Sequence, residues 1–172
     1  MEKQMSQKMD IKFYLKFSAK PVWNTVSEIR QKIKALIAKK KFTEEVIEAM
    51  ETVSMELFEN AIKYGVSTED ATDVSLEIIY DEISELKIIV SNGIESVESI
   101  QNFSELIESI INSKDLEGMY LQRLNEIAQN PKSGKSYLGL YRIAYETGFK
   151  LAYEISGKKL IVIASREIED ES

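Results

Sequence analysis

Two polar side chains one helical turn apart, Glu56 and Asn60, lie inside the stretch Glu56-Leu57-Phe58-Glu59-Asn60-Ala61-Ile62-Lys63-Tyr64-Gly65. At about 100° of rotation per residue, with Val53 at zero, Val46, Met50, Leu57 and Tyr64 fall within about 60° and form an apolar stripe. Asn60 lies about 20° from the centre of that stripe and Glu56 about 60° away on its flank. A carboxamide and a carboxylate at the border of a buried face are costly unless something pairs with them. One reading gives Asn60 a backbone partner and leaves Glu56 solvated. In the other, Asn60 offers a hard oxygen to Mg²⁺ and a nucleotide, and Glu56 polarises an attacking hydroxyl or water.

Composition narrows the chemistry. The 172 residues contain no cysteine and no histidine. Disulfides, thiolate metal sites, histidine zinc sites and a Ser-His-Asp triad are therefore excluded, and acid–base work falls to carboxylates, Lys or Tyr. The net charge of −7 argues against a duplex nucleic-acid partner, which needs a basic face. Short basic runs such as Lys39-Lys40-Lys41 read as a solvated helix end. No apolar run approaches the length of a membrane span, and the polar start, 1–10, has no signal-peptide core. A single cytoplasmic domain spanning 1–172, with 1–10 and 167–172 loose, is the simplest expectation.

The elements that must position these residues follow from periodicity. Residues 11–18 alternate as a half-buried strand, with Phe13, Leu15 and Phe17 on one face. Pro21 precedes helical spacing through Val22, Val26, Ile29, Ile33 and Ile37, which predicts a helix over 21–40. Thr43 caps a second helix that carries Glu56 and Asn60 and ends at Gly65, in a left-handed terminal conformation. Residues 72–80 and 86–90 predict a hairpin turning at 81–84, with Ser91-Asn92-Gly93 stopping its second strand. Helices are expected over 96–111, 116–128 and 138–146, the last two separated by a turn-rich break over 130–135. A terminal hairpin, 149–155 and 159–165, turns at Ser156-Gly157. This order predicts an α+β fold: a two-layer α/β sandwich with a mostly antiparallel mixed sheet and its helices on one face.

Three features then share one logic. Besides the Glu56 and Asn60 helix, a strand ends at Ser91-Asn92-Gly93, and a loop with Gly134, Lys135 and Ser136 leads into Leu138-Gly139-Leu140 at a helix start. A glycine-bearing loop entering a helix N-terminus suits a phosphate group, because free N–H groups and the helix dipole favour an anion. Together these resemble the GHKL (Bergerat-fold) ATPase and kinase superfamily. Glu56-x-x-x-Asn60-Ala61-x-Lys63-Tyr64-Gly65 is similar to its Asn-bearing box, and Gly134 through Leu140 to its second glycine box. Small size and a short segment between boxes resemble the anti-sigma-factor kinase branch. The run from Tyr137 to Gly148 is closer still to the SiaB-like protein kinases.

The resemblance implies ATP and Mg²⁺, with Glu56 as catalytic base and Asn60 as metal ligand. It assigns nucleotide contacts to Asn60, Lys63, Ser91, Asn92, Gly93, Gly134, Lys135, Ser136, Leu138 and Gly139. It also implies a serine/threonine protein kinase acting on a small partner of the anti-sigma-antagonist type, with neither nucleic acid nor membrane as partner and a homodimer compatible with the family. Ser91 stands where the family carries an adenine-reading Asp, and Glu95 where it carries a second glycine. Those departures favour a second reading, a degenerate GHKL module that sequesters a regulatory protein without catalysis. Arg142 reads as pairing with an exposed carboxylate, and Glu59 as solvated.

Overall fold

The computed structural model describes residues 11–21, 26–37, 42–81, 85–130 and 138–169. Along the chain these form β1 (Ile11–Ala19), α1 (Val26–Ile37), α2 (Glu44–Tyr64), β2 (Val74–Asp81) and β3 (Glu85–Gly93). A single 3-10 turn, Glu98–Ile100, leads into α3 (Gln101–Ile111), followed by α4 (Leu116–Gln129), α5 (Leu138–Glu146), β4 (Lys150–Ser156) and β5 (Lys159–Glu167). The expected ends of the first helix, the turn at 82–84, the loop at 131–137 and both termini (1–10 and 170–172) lie outside the described residues.

The strands form one sheet in the order β1-β2-β3-β5-β4. Every neighbouring pair is antiparallel, so the sheet is not mixed. Period-two alternation sets its inner face: Leu76 and Ile78 of β2, Leu86, Ile88 and Val90 of β3, and Leu160, Val162 and Ala164 of β5 are all buried. Gly157 has φ +59° in the β4–β5 turn, a backbone state that glycine adopts without a Cβ penalty.

The helices cover that inner face, giving the two-layer sandwich. Thr43 caps α2, its hydroxyl oxygen accepting from the Val46 N–H. The helix is buried over more of its circumference than the Val53 stripe alone, because Ser54, Phe58 and Ile62 are buried as well. It lies against β2 and β3 while α1 and α5 pack on its flanks, so a one-faced amphipathic pattern understates its burial. Gly65 ends α2 in extended backbone, φ −79° and ψ 152°, rather than in the left-handed state. Glycine is required there by crowding: a Cβ would stand 2.2 Å from the Ala61 carbonyl oxygen and 3.0 Å from Asn92 Cβ.

β3 differs from its expected end. Ser91, Asn92 and Gly93 do not stop the strand; they continue the ladder, opposite Ile161, Leu160 and Lys159 of β5. Beyond it, residues 66–71 are stitched to the sheet end. The Val66 N–H donates to the Gly93 carbonyl at 3.0 Å, the Thr68 hydroxyl to the Lys158 carbonyl at 3.0 Å, and the Lys158 N–H to Asp70 at 2.8 Å.

Candidate functional site

A cleft opens between α2 and the β3–β5 end of the sheet, closed on its far side by α3 and the 3-10 turn. Its walls are largely apolar, from Leu57, Ala61, Val90, Ile100, Phe103, Leu140, Leu160 and Val162. Polar groups enter from Asn60, Asn92, Glu95 and Ser99, and Tyr64 stands at the end of α2. The cavity is narrow, about 100 Å³, below the roughly 300–1,000 Å³ of most small-ligand sites.

Asn60 is the polar centre of this cleft. Its Nδ2 is buried and finds no hydrogen-bond partner among the described residues. Buried polar atoms are nearly always paired, so the orphan amide makes Asn60 the group of this cleft with bonding capacity to spare. A half-turn of the amide exchanges nitrogen for oxygen without changing shape, so Asn60 can equally offer a metal its oxygen. Ser54 Oγ is also unpartnered, but Ser54 does not line the cleft. An apolar slot with one unsatisfied carboxamide has the chemistry to take a flat apolar group that carries an acceptor. Among the described residues no cluster of acidic side chains binds a metal by itself, so phosphate oxygens would have to supply most of its ligands.

Ser91 does not face the cleft. On β3 the residues turned to the helices are Leu86, Ile88, Val90 and Asn92; Ser91, between two of them, points to the other side. There its hydroxyl hydrogen-bonds the Ser75 hydroxyl across the β2–β3 ladder. Strand parity thus puts Asn92, not Ser91, where a base edge could be read. Counting along a glycine motif carries no information about which face a residue takes. Asn92 is buried and donates its amide to the Gly93 carbonyl at 2.9 Å. Gly93 serves the backbone: a Cβ there would stand 2.1 Å from the Val66 carbonyl oxygen and 2.9 Å from that of Ala71.

Glu56 lies one turn before Asn60 but off the cleft wall. Its carboxylate accepts from Arg142 Nη1 at 2.9 Å, a link between α2 and α5 across 86 positions of sequence. Its other oxygen lies against Gly139, where a Cβ would come within 2.0 Å of it. Gly139 is therefore the residue that lets the first turn of α5 approach this carboxylate. Burial pushes the Glu56 carboxyl above its ordinary range, Arg142 opposes that, and the Glu59 charge adds to it. Glu59 is not solvated alone but pairs with Arg30 of α1 at 3.0 Å.

Leu138 is half-buried at the start of α5, and Leu140 rather than Leu138 reaches the cleft. Lys63 is exposed, its ammonium 5.2 Å from the centre of the Tyr64 ring, and it is absent from the cleft wall. Gly134, Lys135 and Ser136 lie outside the described residues. Sequence reasoning paired Arg142 with an exposed carboxylate, which Glu146 is, but missed half-buried Glu56 as its partner and the places of Glu95 and Ser99 on the cleft wall. Arg142 carried a signal: Gly139, Arg142 and Glu146 share one face of a helix at three- and four-residue spacing.

Known structures share this fold. The chain is similar to a chain in the crystal structure of the SiaB–SiaC complex from Pseudomonas aeruginosa, with a TM-score of 0.67 and 17% sequence identity. The likeness covers 91% of this chain and 89% of that one. No protein-family model and no curated protein matches the chain. No helix among the described residues is long and apolar enough to cross a membrane.

Proposed function

We propose that this chain is an ATP-binding serine/threonine protein kinase of a partner-switching regulatory system, acting on a small antagonist-like protein. The observation that carries the reading is the unsatisfied Asn60 amide in an apolar cleft, one turn from a half-buried carboxylate. The fold likeness to a chain of the SiaB–SiaC complex supports a regulatory, protein-directed role.

In this reading Asn60 holds Mg²⁺ together with the nucleotide phosphates, and Asn92 lines the base end of the cleft. The nucleotide supplies the phosphoryl group. Glu56 accepts the proton of the acceptor Ser or Thr hydroxyl, a task suited to a carboxylate whose proton affinity burial has raised. Gly139 leaves room for that carboxylate beside the α5 N-terminus. The loop with Gly134, Lys135 and Ser136 is assigned to the phosphates by the resemblance of its sequence.

One observation favours a second reading. Glu56 is ion-paired with Arg142 and is not on the cleft wall, as suits a nucleotide-binding module that captures a regulatory protein without transferring phosphate. Two measurements separate them. Mg-ATP at 100 times its dissociation constant raises the unfolding free energy by about 2.7 kcal/mol if it binds only the native state. Labelled phosphate should then pass to a small antagonist-like partner protein. No thermal shift at millimolar Mg-ATP ends the kinase reading and leaves a module that works without nucleotide; a shift without transfer leaves a module that binds it.

A further inference from the structure

We propose that Arg142 is a positioning residue for Glu56, fixing the orientation of its carboxylate at the first turn of α5. The inference rests on the kinase reading for its catalytic consequence, but the contact itself can be tested without it.

The geometry is specific. One Glu56 oxygen accepts from Arg142 Nη1 at 2.9 Å, and the other lies in the space that Gly139 leaves by having no Cβ, so Arg142 is what fixes the carboxyl plane. Arg142 is itself steadied within its helix by Glu146, at 3.7 Å from Nε. A half-buried guanidinium braced in this way loses little freedom on pairing. The charged groups around Glu56 come from three elements. Glu51 and Glu59 share α2, Arg30 and Lys34 line the adjoining groove from α1, and α5 contributes Arg142 and Glu146. Arg30 is committed to Glu59, which leaves Arg142 as the cation in contact with Glu56. Burial raises the proton affinity of Glu56 and Arg142 restrains it, so loss of Arg142 should raise it further.

The test uses the full chain as Arg142→Gln and Arg142→Lys. Carbon-13 NMR titration of the glutamate carboxyls, with Glu56 assigned through Glu56→Gln, reads the pair without any ligand. In Arg142→Gln the Glu56 titration is expected to move to higher pH. Phosphate transfer from Mg-ATP at pH 7 should fall by about 10–100-fold, as for a misplaced catalytic group, with its acid limb displaced upward. Arg142→Lys, which keeps the charge, should displace the titration less and recover part of the rate. The thermal shift produced by Mg-ATP should be the same in both variants as in wild type. An unmoved Glu56 titration in Arg142→Gln overturns the proposal. So does a rate loss with an unchanged pH profile in Arg142→Lys, the variant that carries the test if Arg142→Gln does not fold. A wild-type chain that transfers no phosphate overturns the kinase reading alone, and the carboxyl titration still decides whether Arg142 holds Glu56.

Discussion

Asn60 and Glu56 are adjacent turns of one helix with opposite debts to the fold. The Asn60 amide nitrogen makes no hydrogen bond among the described residues, so nothing is lost internally when it is removed. Asn60→Ala should therefore leave the stability of the ligand-free chain within about 1 kcal/mol of wild type. The same substitution should abolish the Mg-ATP thermal shift; a collapse of the free protein would instead make Asn60 a structural amide. Glu56→Gln should keep nucleotide binding while slowing transfer by about 10²–10⁴, the usual share of a general base. It also has a pH signature. Burial raises the Glu56 carboxyl above its ordinary value of 4.5, so the folded state holds this proton more tightly than the unfolded chain. Its contribution to stability is therefore fully present below 4.5 and falls as pH rises through the folded value. Glu56→Gln should lack that decline, so melting curves of variant and wild type should diverge above pH 4.5 in favour of the variant. Parallel curves would mean that Arg142 fully offsets the burial.

Two glycines that read alike in a motif do different work in their elements. A Cβ on Gly93 meets backbone carbonyls of the 66–71 segment, which is tied to the sheet and cannot yield. Gly93→Ala should cost about 1–3 kcal/mol, the range for overpacking. That corresponds to about 2–4 °C of melting temperature per kcal/mol for a chain of this size. A Cβ on Gly139 meets the carboxylate of Glu56, a flexible side chain that can give way at the cost of its Arg142 contact. Gly139→Ala should change the melting temperature far less yet reduce transfer sharply; comparing melting and transfer for both variants checks the contrast. The elements themselves were legible in the sequence because alternation and helical spacing are local. Thr43 capping α2, the β4–β5 turn and the start of α5 all stand where residue types put them. Ser91 was not legible: its face depends on the ladder continuing through Gly93, which local turn chemistry argued against. Gly65 likewise promised a left-handed cap, but its extended backbone puts a Cβ against the Ala61 carbonyl and, across the fold, against Asn92. Arg142 was visible only as a surface charge until α2 and α5 were brought together.

At the scale of the molecule, α2 separates an apolar cleft lined by Asn60 from a polar groove that holds Glu56, Arg30 and Arg142. α4 is built differently from the rest. It is capped by Asp115, whose carboxylate accepts from the Gly118 N–H at 2.9 Å, and it packs on α5, with the Tyr120 and Tyr145 rings 5.5 Å apart. None of its residues is buried, and Leu121 and Leu124 face solvent. A helix of this length has little stability without its contacts. Its amides should exchange with deuterium through local opening, well before those of α2 or β3. Equal protection in α4 and α2 would contradict this. Because α4 packs on α5, which carries Arg142, opening α4 withdraws support from the Glu56 pair. Heat would then act on the rate before it acts on the fold: transfer should decline on warming while the sheet is still intact, placing the temperature optimum several degrees below the melting point.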